Sequence, residues 1–311
     1  MQRAIRILLS VLVFIVIALV ALTVIRNPER ADLDDEARAQ APGEFVTLSQ
    51  GVTHYDITGP DTGRTVVLVH GFSVPMYIWD STVVGLAADG YRVIRYDAFG
   101  RGYSDRPDVE YDESLIVGQL TELLDSLRVT GPVDLMGLSF GGYTTAAFTV
   151  KYPSRVRTLT LVDPVVDSIV LTAPVSWPVI GPWFFQVIGV PTMDEGQLSD
   201  FVHPERFPTW VDQYRVQMQY RGFGRALLST LRNFGTTDMA ALYGEVSRTG
   251  VPVLLIWGRE DQTVPFDKSE VVLRAIPDAQ FVPVDFAGHL PHIEEAAVVR
   301  EVMLGFLAGS P

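Results

Sequence analysis

The chain contains a serine whose surroundings are typical of an activated nucleophile. Ser139 is the centre of a Gly-Leu-Ser-Phe-Gly pentapeptide at residues 137–141. Such a match is weak by itself, since a chain of this composition contains one by chance roughly one time in ten. However, an apolar run at residues 133–136 precedes it and a helical stretch follows from Gly142, which predicts a strand, a sharp turn and a helix. Such a turn needs glycines and lifts the Ser139 hydroxyl above the sheet edge.

A serine hydroxyl needs a general base at neutral pH, and the chain offers five histidines. His289 is favoured because it follows the last predicted strand and precedes a helix, at the sheet edge where open α/β folds bind ligands. The other four have different expected places. His54 lies in a hairpin, His70 in a loop that it holds, His203 on the surface of an insertion and His292 at the start of a helix.

The base in turn needs an acid that orients it. Asp261 lies four positions beyond a predicted strand at residues 251–257, and the order Ser139, Asp261, His289 is the one expected for a strand-turn-helix serine nucleophile. Asp163 is the alternative, because a carboxylate directly after the preceding strand could reach the same histidine.

A tetrahedral intermediate needs two hydrogen-bond donors for its oxyanion. The backbone N–H of Phe140, the residue after the nucleophile, is one candidate. The second is the N–H of Phe72, because His70-Gly71-Phe72 follows an early predicted strand. These two residues are therefore the predicted oxyanion hole.

From residue 45 onwards, short β-rich runs alternate with helical stretches, which is typical of a mainly parallel sheet covered by helices. The predicted strands are residues 45–49, 52–58, 65–69, 92–96, 133–136, 156–162, 251–257 and 280–284. The predicted helices are residues 79–88, 112–127, 143–152, 268–275 and 291–307.

Residues 165–247 interrupt this alternation with prolines at positions 174, 178, 182 and 191 and with a cluster of aromatic residues, Trp177, Trp183, Phe184 and Phe185. A second membrane span is rejected here, because one crossing would separate the last two strands from the others and the prolines would break a helix. We expect a lid inserted between two strands, with Trp183, Phe184 and Phe185 in contact with substrate.

Residues 1–26 are predicted to form a transmembrane anchor. The run from Ile7 to Ile25 is uncharged, and its nineteen residues reach ~28 Å as a helix, close to the hydrocarbon thickness of a bilayer. A cleaved signal peptide is the alternative, but its apolar region usually has only ~7–15 residues, and the small residues at 39–41 lie far beyond the run. Lys and Arg are nearly balanced on both sides, and the catalytic domain is expected outside the cytoplasm. Residues 27–43 are predicted to be a polar tether.

The composition excludes several classes of function. With a formal net charge of -13 the surface repels phosphate backbones, so nucleic acid is not an expected partner. The absence of cysteine from the 311 residues excludes disulfides, thiolate metal sites and a cysteine nucleophile. No metal and no organic cofactor are expected.

The chain resembles the α/β-hydrolase superfamily from about residue 45 to residue 308. The resemblance is carried by the motifs at residues 70–72, 97–105, 137–142, 257–261 and 288–289. It implies a mainly parallel eight-stranded sheet with helices on both faces and a helical lid inserted after the sixth strand. The implied core is residues 44–164 and 248–311, and the implied lid is residues 165–247. It also implies the roles given above for Ser139, Asp261, His289, Phe72 and Phe140, and a structural role for Asp97.

The resemblance narrows the range of expected reactions. Epoxide hydrolases and haloalkane dehalogenases of this superfamily carry aspartate at the position of Ser139, and carbon–carbon bond hydrolases often carry tryptophan where this chain has Leu290. We predict a serine hydrolase for carboxylic esters with an apolar acyl group, such as a monoacylglycerol or a lysolipid. The alternatives are a cofactor-free haloperoxidase or perhydrolase, a carbon–carbon bond hydrolase, and a non-catalytic ligand sensor.

Overall fold

Eight strands form one mixed sheet in the structure, a computed structural model that describes residues 2–168 and 170–310. They are β1 (Glu44–Leu48), β2 (Gly51–Thr58), β3 (Thr65–Val69), β4 (Arg92–Tyr96), β5 (Val133–Leu138), β6 (Val156–Val162), β7 (Val253–Gly258) and β8 (Gln280–Val284). Across the sheet the order is β1-β2-β4-β3-β5-β6-β7-β8. The strand β2 is antiparallel to both of its neighbours, and the remaining pairs are parallel.

The parallel strands are nearly continuous apolar runs because both of their faces are covered. In β3, Val67 and Val69 belong to one buried core cluster, whereas Val66 and Leu68 belong to a second cluster on the opposite face. The predicted sheet, with helices on both faces and an inserted helical lid, is confirmed. Each predicted strand agrees with an observed one to within two residues.

Thirteen α-helices accompany the sheet in the described part of the chain. They are α1 (Gln2–Arg26), α2 (Asp35–Arg38), α3 (Asp80–Ala88), α4 (Glu113–Ser126), α5 (Phe140–Lys151), α6 (Ile180–Phe184), α7 (Met193–Gly196), α8 (Trp210–Met218), α9 (Phe223–Asn233), α10 (Met239–Thr249), α11 (Ser269–Ala275), α12 (Pro291–Glu294) and α13 (Ala296–Gly309). The single helix predicted at residues 291–307 is divided in two, because the backbone of Glu295 is not helical.

The helices α6 to α9 and the short turns between them form a cap between β6 and β7. The helix α10, which the sequence places in the lid, packs instead on the core. Its Tyr243 and Val246 share a buried cluster with Tyr143 and Phe148 of α5. The core therefore already resumes at α10.

The helix α1 is long and apolar enough to span a membrane, with a mean hydropathy of 3.2 in its most apolar window and no buried side chain. Its last turn lies against the cap. Trp183 Nε1 donates to Thr23 Oγ1 at 2.8 Å, and Arg26 Nε donates to the carbonyl of Val187 at 2.9 Å.

The segment after α1, predicted as a tether, is also attached to the cap. The Glu29 carboxylate accepts the N–H groups of Gly222 and Gly224, both at 2.7 Å. Ala31 pairs with Tyr220 in a short parallel bridge. Residues 29–31 are therefore an ordered part of the cap surface.

Candidate active site

The predicted site residues follow neighbouring strands of the sheet. Ser139 comes after β5, Asp163 after β6, Asp261 after β7 and His289 after β8. Because the carboxyl ends of parallel strands meet at one edge, these four residues converge there.

Ser139 occupies a strained turn between β5 and α5. Its φ of 52° and ψ of -117° lie in a region that residues with a side chain rarely adopt. The turn is tight because a Cβ on Gly137 would lie 2.3 Å from the carbonyl oxygen of Gly141, and one on Gly141 would lie 2.2 Å from that of Val69. The helix α5 begins directly after Ser139, three residues before the predicted start at residue 143.

His289 and Asp261 form a buried pair. His289 Nδ1 lies 2.8 Å from Asp261 Oδ2, while Asp261 Oδ1 accepts the N–H groups of Thr263 at 2.8 Å and Val264 at 2.9 Å. Burial opposes protonation of the imidazole, but the hydrogen bond and negative charge of Asp261 outweigh it, so the pKa of His289 lies above its ordinary value. A carboxylate fixed in this way orients the ring and stabilises its protonated form.

Asp163, the alternative acid, lies beside this pair with an unusual backbone, φ 42°. Its Oδ1 accepts the N–H of Gly258 at 2.9 Å, and within residues 2–168 and 170–310 its Oδ2 has no hydrogen-bond partner. Burial and the charge of Asp261 raise the pKa of Asp163 well above its ordinary range. A neutral Asp163 carboxyl suits this place, because two buried carboxylates would repel each other.

The carboxylate oxygens of Asp163 and Asp261 and a ring nitrogen of His289 lie within 4.8 Å of one another, a spacing that could hold a metal ion. The Asp261–His289 hydrogen bond already occupies two of the atoms that would serve as ligands. The pairing of acid and base therefore accounts for the cluster.

Ser139 and His289 line a common cavity of about 380 Å³. Its wall combines polar side chains, among them Ser73, Gln197 and Thr263, with six apolar ones: Phe72, Val74, Ile78, Leu138, Met193 and Leu290. Among the described residues, its lining contains no Lys or Arg and includes the carboxyl group of Asp200. Thr192 to Asp200 of the cap close the cavity from above.

The predicted oxyanion donors flank Ser139. A Cβ on Gly71 would lie 3.4 Å from Ser139 Cβ, and the rings of Phe72 and Phe140 meet edge to face at 6.4 Å. Phe140 is the first residue of α5, so its N–H has no intrahelical acceptor. Within the described residues the N–H of Phe72 likewise has no acceptor.

Two buried side chains hold the Phe72 loop. His70 Nδ1 lies 2.8 Å from the carbonyl of Gly71, and its Nε2 accepts the N–H of Ala98 at 2.9 Å. Burial lowers the pKa of His70 to about 4, so the ring is neutral at physiological pH. Arg101 Nε donates to the carbonyl of Phe72 at 2.8 Å. The role of His70 is thus structural, as expected, whereas the contact of Arg101 has no local signal in the sequence.

Trp183, Phe184 and Phe185 were expected at the substrate, but the structure does not place them in the lining of the cavity. Trp183 faces α1, and Phe185 packs against a buried core cluster. Trp183 is thus engaged by α1 and Phe185 by this cluster.

Glu294 is a buried residue near the site that the sequence interpretation missed. Its Oε2 accepts the N–H of Gly288 at 2.8 Å, and its Oε1 accepts the N–H of Val202 at 2.9 Å. The N–H of His289 donates to the carbonyl of Asp200 at 2.8 Å. Glu294 therefore ties the His289 loop to the cap.

The sequence profile of the alpha/beta hydrolase family matches residues 66–302. The chain therefore belongs to this family.

The curated relatives of this chain include hydrolases with different names. The chain is 29% identical to a 2-hydroxy-6-oxononadienedioate/2-hydroxy-6-oxononatrienedioate hydrolase of Cupriavidus pinatubonensis, over 85% of this chain and 94% of that one. It is 27% identical to Lipase 3 of a Moraxella species, over 75% and 74%. Among solved structures, a thermophilic esterase from Thermogutta terrifontis superposes with a TM-score of 0.73 at 25% identity, over 86% and 99%. These similarities support hydrolase activity.

Proposed function

We propose that this chain is a membrane-anchored serine hydrolase that cleaves carboxylic esters with an apolar, uncharged acyl group, such as a monoacylglycerol or a lysolipid. The lining of the cavity carries the proposal. A substrate carboxylate would meet no Lys or Arg among the described lining residues and would face Asp200, whereas an acyl chain would meet Val74, Ile78 and Met193. A buried charge without a partner is costly, and buried apolar surface is favourable.

The proposed reaction proceeds through an acyl-enzyme. His289 takes the proton of Ser139 as the oxygen attacks the ester carbonyl, and the N–H groups of Phe72 and Phe140 stabilise the oxyanion. Collapse of the intermediate breaks the ester bond, and His289 gives its proton to the departing alcohol. A water molecule, activated in turn by His289, then releases the acid and restores Ser139.

Hydrolysis of a carbon–carbon bond is the second candidate, because relatives with that activity match most of the chain. The name of the relative from Cupriavidus describes a substrate with two carboxylates. The lack of Lys and Arg among the described lining residues and Leu290 after the histidine disfavour such a substrate here.

Retention of α1 as an anchor is part of the proposal. Its apolar length would also suit a signal sequence. The hydrogen bonds from Trp183 and Arg26 to the last turn of the helix and to the cap support retention, because cleavage would leave these groups without their partners.

The test compares the hydrolysis of esters with that of a 2-hydroxy-6-oxo-dienoate by the full-length protein in detergent. We expect p-nitrophenyl esters to be hydrolysed, with kcat/KM rising about fourfold per added methylene because each contributes ~0.8 kcal/mol when buried. Ser139→Ala should lower kcat by about 10⁴–10⁶ and abolish labelling by a fluorophosphonate, whereas Ser199→Ala, at a second serine of the same cavity, should keep both. Faster turnover of a 2-hydroxy-6-oxo-dienoate than of any ester would instead favour the carbon–carbon bond hydrolase.

A further inference from the structure

The cap carries exposed apolar side chains close to the end of α1. Trp177 is 51% exposed, Val179 is 85% exposed and Ile180 is 50% exposed. We call these three residues the cap patch. Scattered exposed apolar residues are normal, but neighbouring large ones mark interaction surfaces.

The sequence around the cap patch also lacks charge. No Asp, Glu, Lys or Arg occurs between Asp167 and Asp194, although 20% of the residues of the whole chain are charged. A surface in contact with water normally intersperses charges of both signs. The composition of this segment therefore suits an apolar or interfacial environment.

The position of the cap patch relates it to the anchor. Ile180 and Val179 precede Trp183 by three and four residues, a spacing that places side chains on one side of a helical turn. The indole of Trp183 donates to Thr23 at 2.8 Å, in the last turns of α1. The cap patch thus lies beside the end of α1 at which the chain leaves the apolar span.

We propose that the cap patch inserts into the headgroup region of the membrane that α1 spans. The enzyme would then contact the bilayer at two places, the anchor and the cap. This inference rests on the anchorage proposed above. Tryptophan is enriched at this depth of a bilayer, and exposed aliphatic side chains gain free energy there. The net charge of -13 makes zwitterionic lipid the better partner, because anionic headgroups would repel the protein.

The second contact has a consequence for substrate entry. The cap residues that line the catalytic cavity begin at Thr192, and consecutive short helical turns connect Ile180 to Met193. One end of this segment would lie at the lipid and the other over Ser139. The arrangement suits an ester whose acyl chain resides in the bilayer.

The absence of cysteine permits a direct test with single-cysteine variants of the full-length protein. Val179→Cys reports on the cap patch. Val84→Cys is the matched control, a valine that is 69% exposed on α3, and Val13→Cys reports on the middle of α1. Each variant is labelled with an environment-sensitive fluorophore and reconstituted into phosphatidylcholine vesicles. These contain a nitroxide lipid labelled near the headgroup for the probes at residues 179 and 84, and one labelled deep in the acyl chain for the probe at residue 13.

We expect the emission at residue 179 to shift to the blue and to fall about twofold with the nitroxide lipid, because side chains of interfacial segments lie ~5–10 Å deep. The probe at residue 84 should show neither change. Hydrolysis of a short soluble ester by all three labelled variants would verify the fold.

Two results would overturn the inference in distinguishable ways. A quenched probe at residue 13 with an unquenched probe at residue 179 would leave the anchor intact and reject insertion of the cap patch. An unquenched probe at residue 13 would reject the anchorage itself. A blue shift at residue 179 without quenching would mean that protein, such as a second copy of the chain, covers the patch instead of lipid.

Discussion

The imidazole of His289 and the carboxylate of Asp261 are joined by a hydrogen bond of 2.8 Å between Nδ1 and Oδ2. Because Nδ1 is the donor in the neutral ring, Nε2 is left unprotonated and can accept a proton. The proposed acceptor role towards Ser139 follows from this tautomer.

We predict that Asp261→Asn lowers kcat by about 10⁴ at neutral pH with little change in KM, because the amide no longer holds this tautomer or stabilises the imidazolium. Asp163→Asn should lower kcat by less than about tenfold, because an amide resembles the neutral carboxyl that the raised pKa of Asp163 implies. Steady-state kinetics with a soluble ester measures both. An inactive 163 variant beside an active 261 variant would transfer the acid role to Asp163.

The pH dependence of kcat/KM should report the pKa of His289. The base acts in its neutral form and its pKa is raised, so activity should fall as the pH decreases through a midpoint above 6.5. In Asp261→Asn the burial of the ring remains but the charge is lost, and the residual activity should show a lower midpoint. An unchanged midpoint in that variant would mean that Asp261 does not control the ionisation of His289.

Glu294→Gln should lower the activity because it disturbs the position of His289. An amide offers one acceptor oxygen, so one of the N–H groups of Gly288 and Val202 would lose its partner, at a cost of about 1–3 kcal/mol. We expect kcat to fall about tenfold, because His289 would be less well placed. Kinetics and thermal unfolding of this variant and of Glu295→Gln, its neighbour in sequence, provide the comparison. Wild-type kcat in Glu294→Gln would show that the contact does not position the base.

A second buried acid–histidine pair, His54 and Asp97, should govern stability. His54 Nδ1 lies 2.6 Å from Asp97 Oδ2, and its Nε2 faces the carbonyl of Pro42, so both ring nitrogens face acceptors. Burial opposes protonation, but Asp97 and the carbonyl of Pro42 outweigh it and raise the pKa of His54. Burial alone would raise the pKa of the Asp97 carboxyl, but the hydrogen bond and the charge of His54 outweigh it and lower this pKa.

The sign of the effect follows from these directions. The contribution of His54 is fully present below pH 6.5 and is lost as the pH rises through the raised pKa, whereas that of Asp97 is present above pH 3.8 and is lost as the pH falls through the lowered pKa. The difference in Tm between wild type and His54→Gln should therefore be largest between those values and should shrink at alkaline pH. His203→Gln, at an exposed histidine, should show no such trend. A difference that grows towards alkaline pH would contradict the charged pair.

Sequence patterns were sufficient for the elements that carry their own local signal. The runs of β3, β4, β6 and β8 coincide with the predicted strands. For β3 and β6 the signal is an apolar run that is buried on both faces, whereas β8 at the sheet edge is only partly buried. The strand-turn-helix signal likewise located the bend at Ser139, and chain order alone placed Asp261 and His289 after the correct strands.

Contacts between distant segments could not be predicted in this way. Trp183 and its partner Thr23 are 160 positions apart, and His54 and Asp97 are 43 apart. No periodicity links such residues, so the aromatic cluster of the lid was expected at the substrate rather than at α1. Glu294 was missed for the same reason, since a buried glutamate resembles a surface one until the N–H groups that it accepts are known.

Under the proposed anchorage, the attachment of residues 29–31 to the cap would determine which half of the enzyme is stationary. The chain leaves the cap after Asp32, which pairs with Arg221, and reaches the core at Arg38, which pairs with Asp105, so residues 33–37 are one of the links between the two halves. In the proposed membrane-bound arrangement α1 and Glu29 would hold the cap at the bilayer, and any separation of the two halves would swing the sheet, with Ser139 and His289, through the surrounding water. Opening would then be a motion of the larger body, and solvent viscosity rather than lipid fluidity would set its rate.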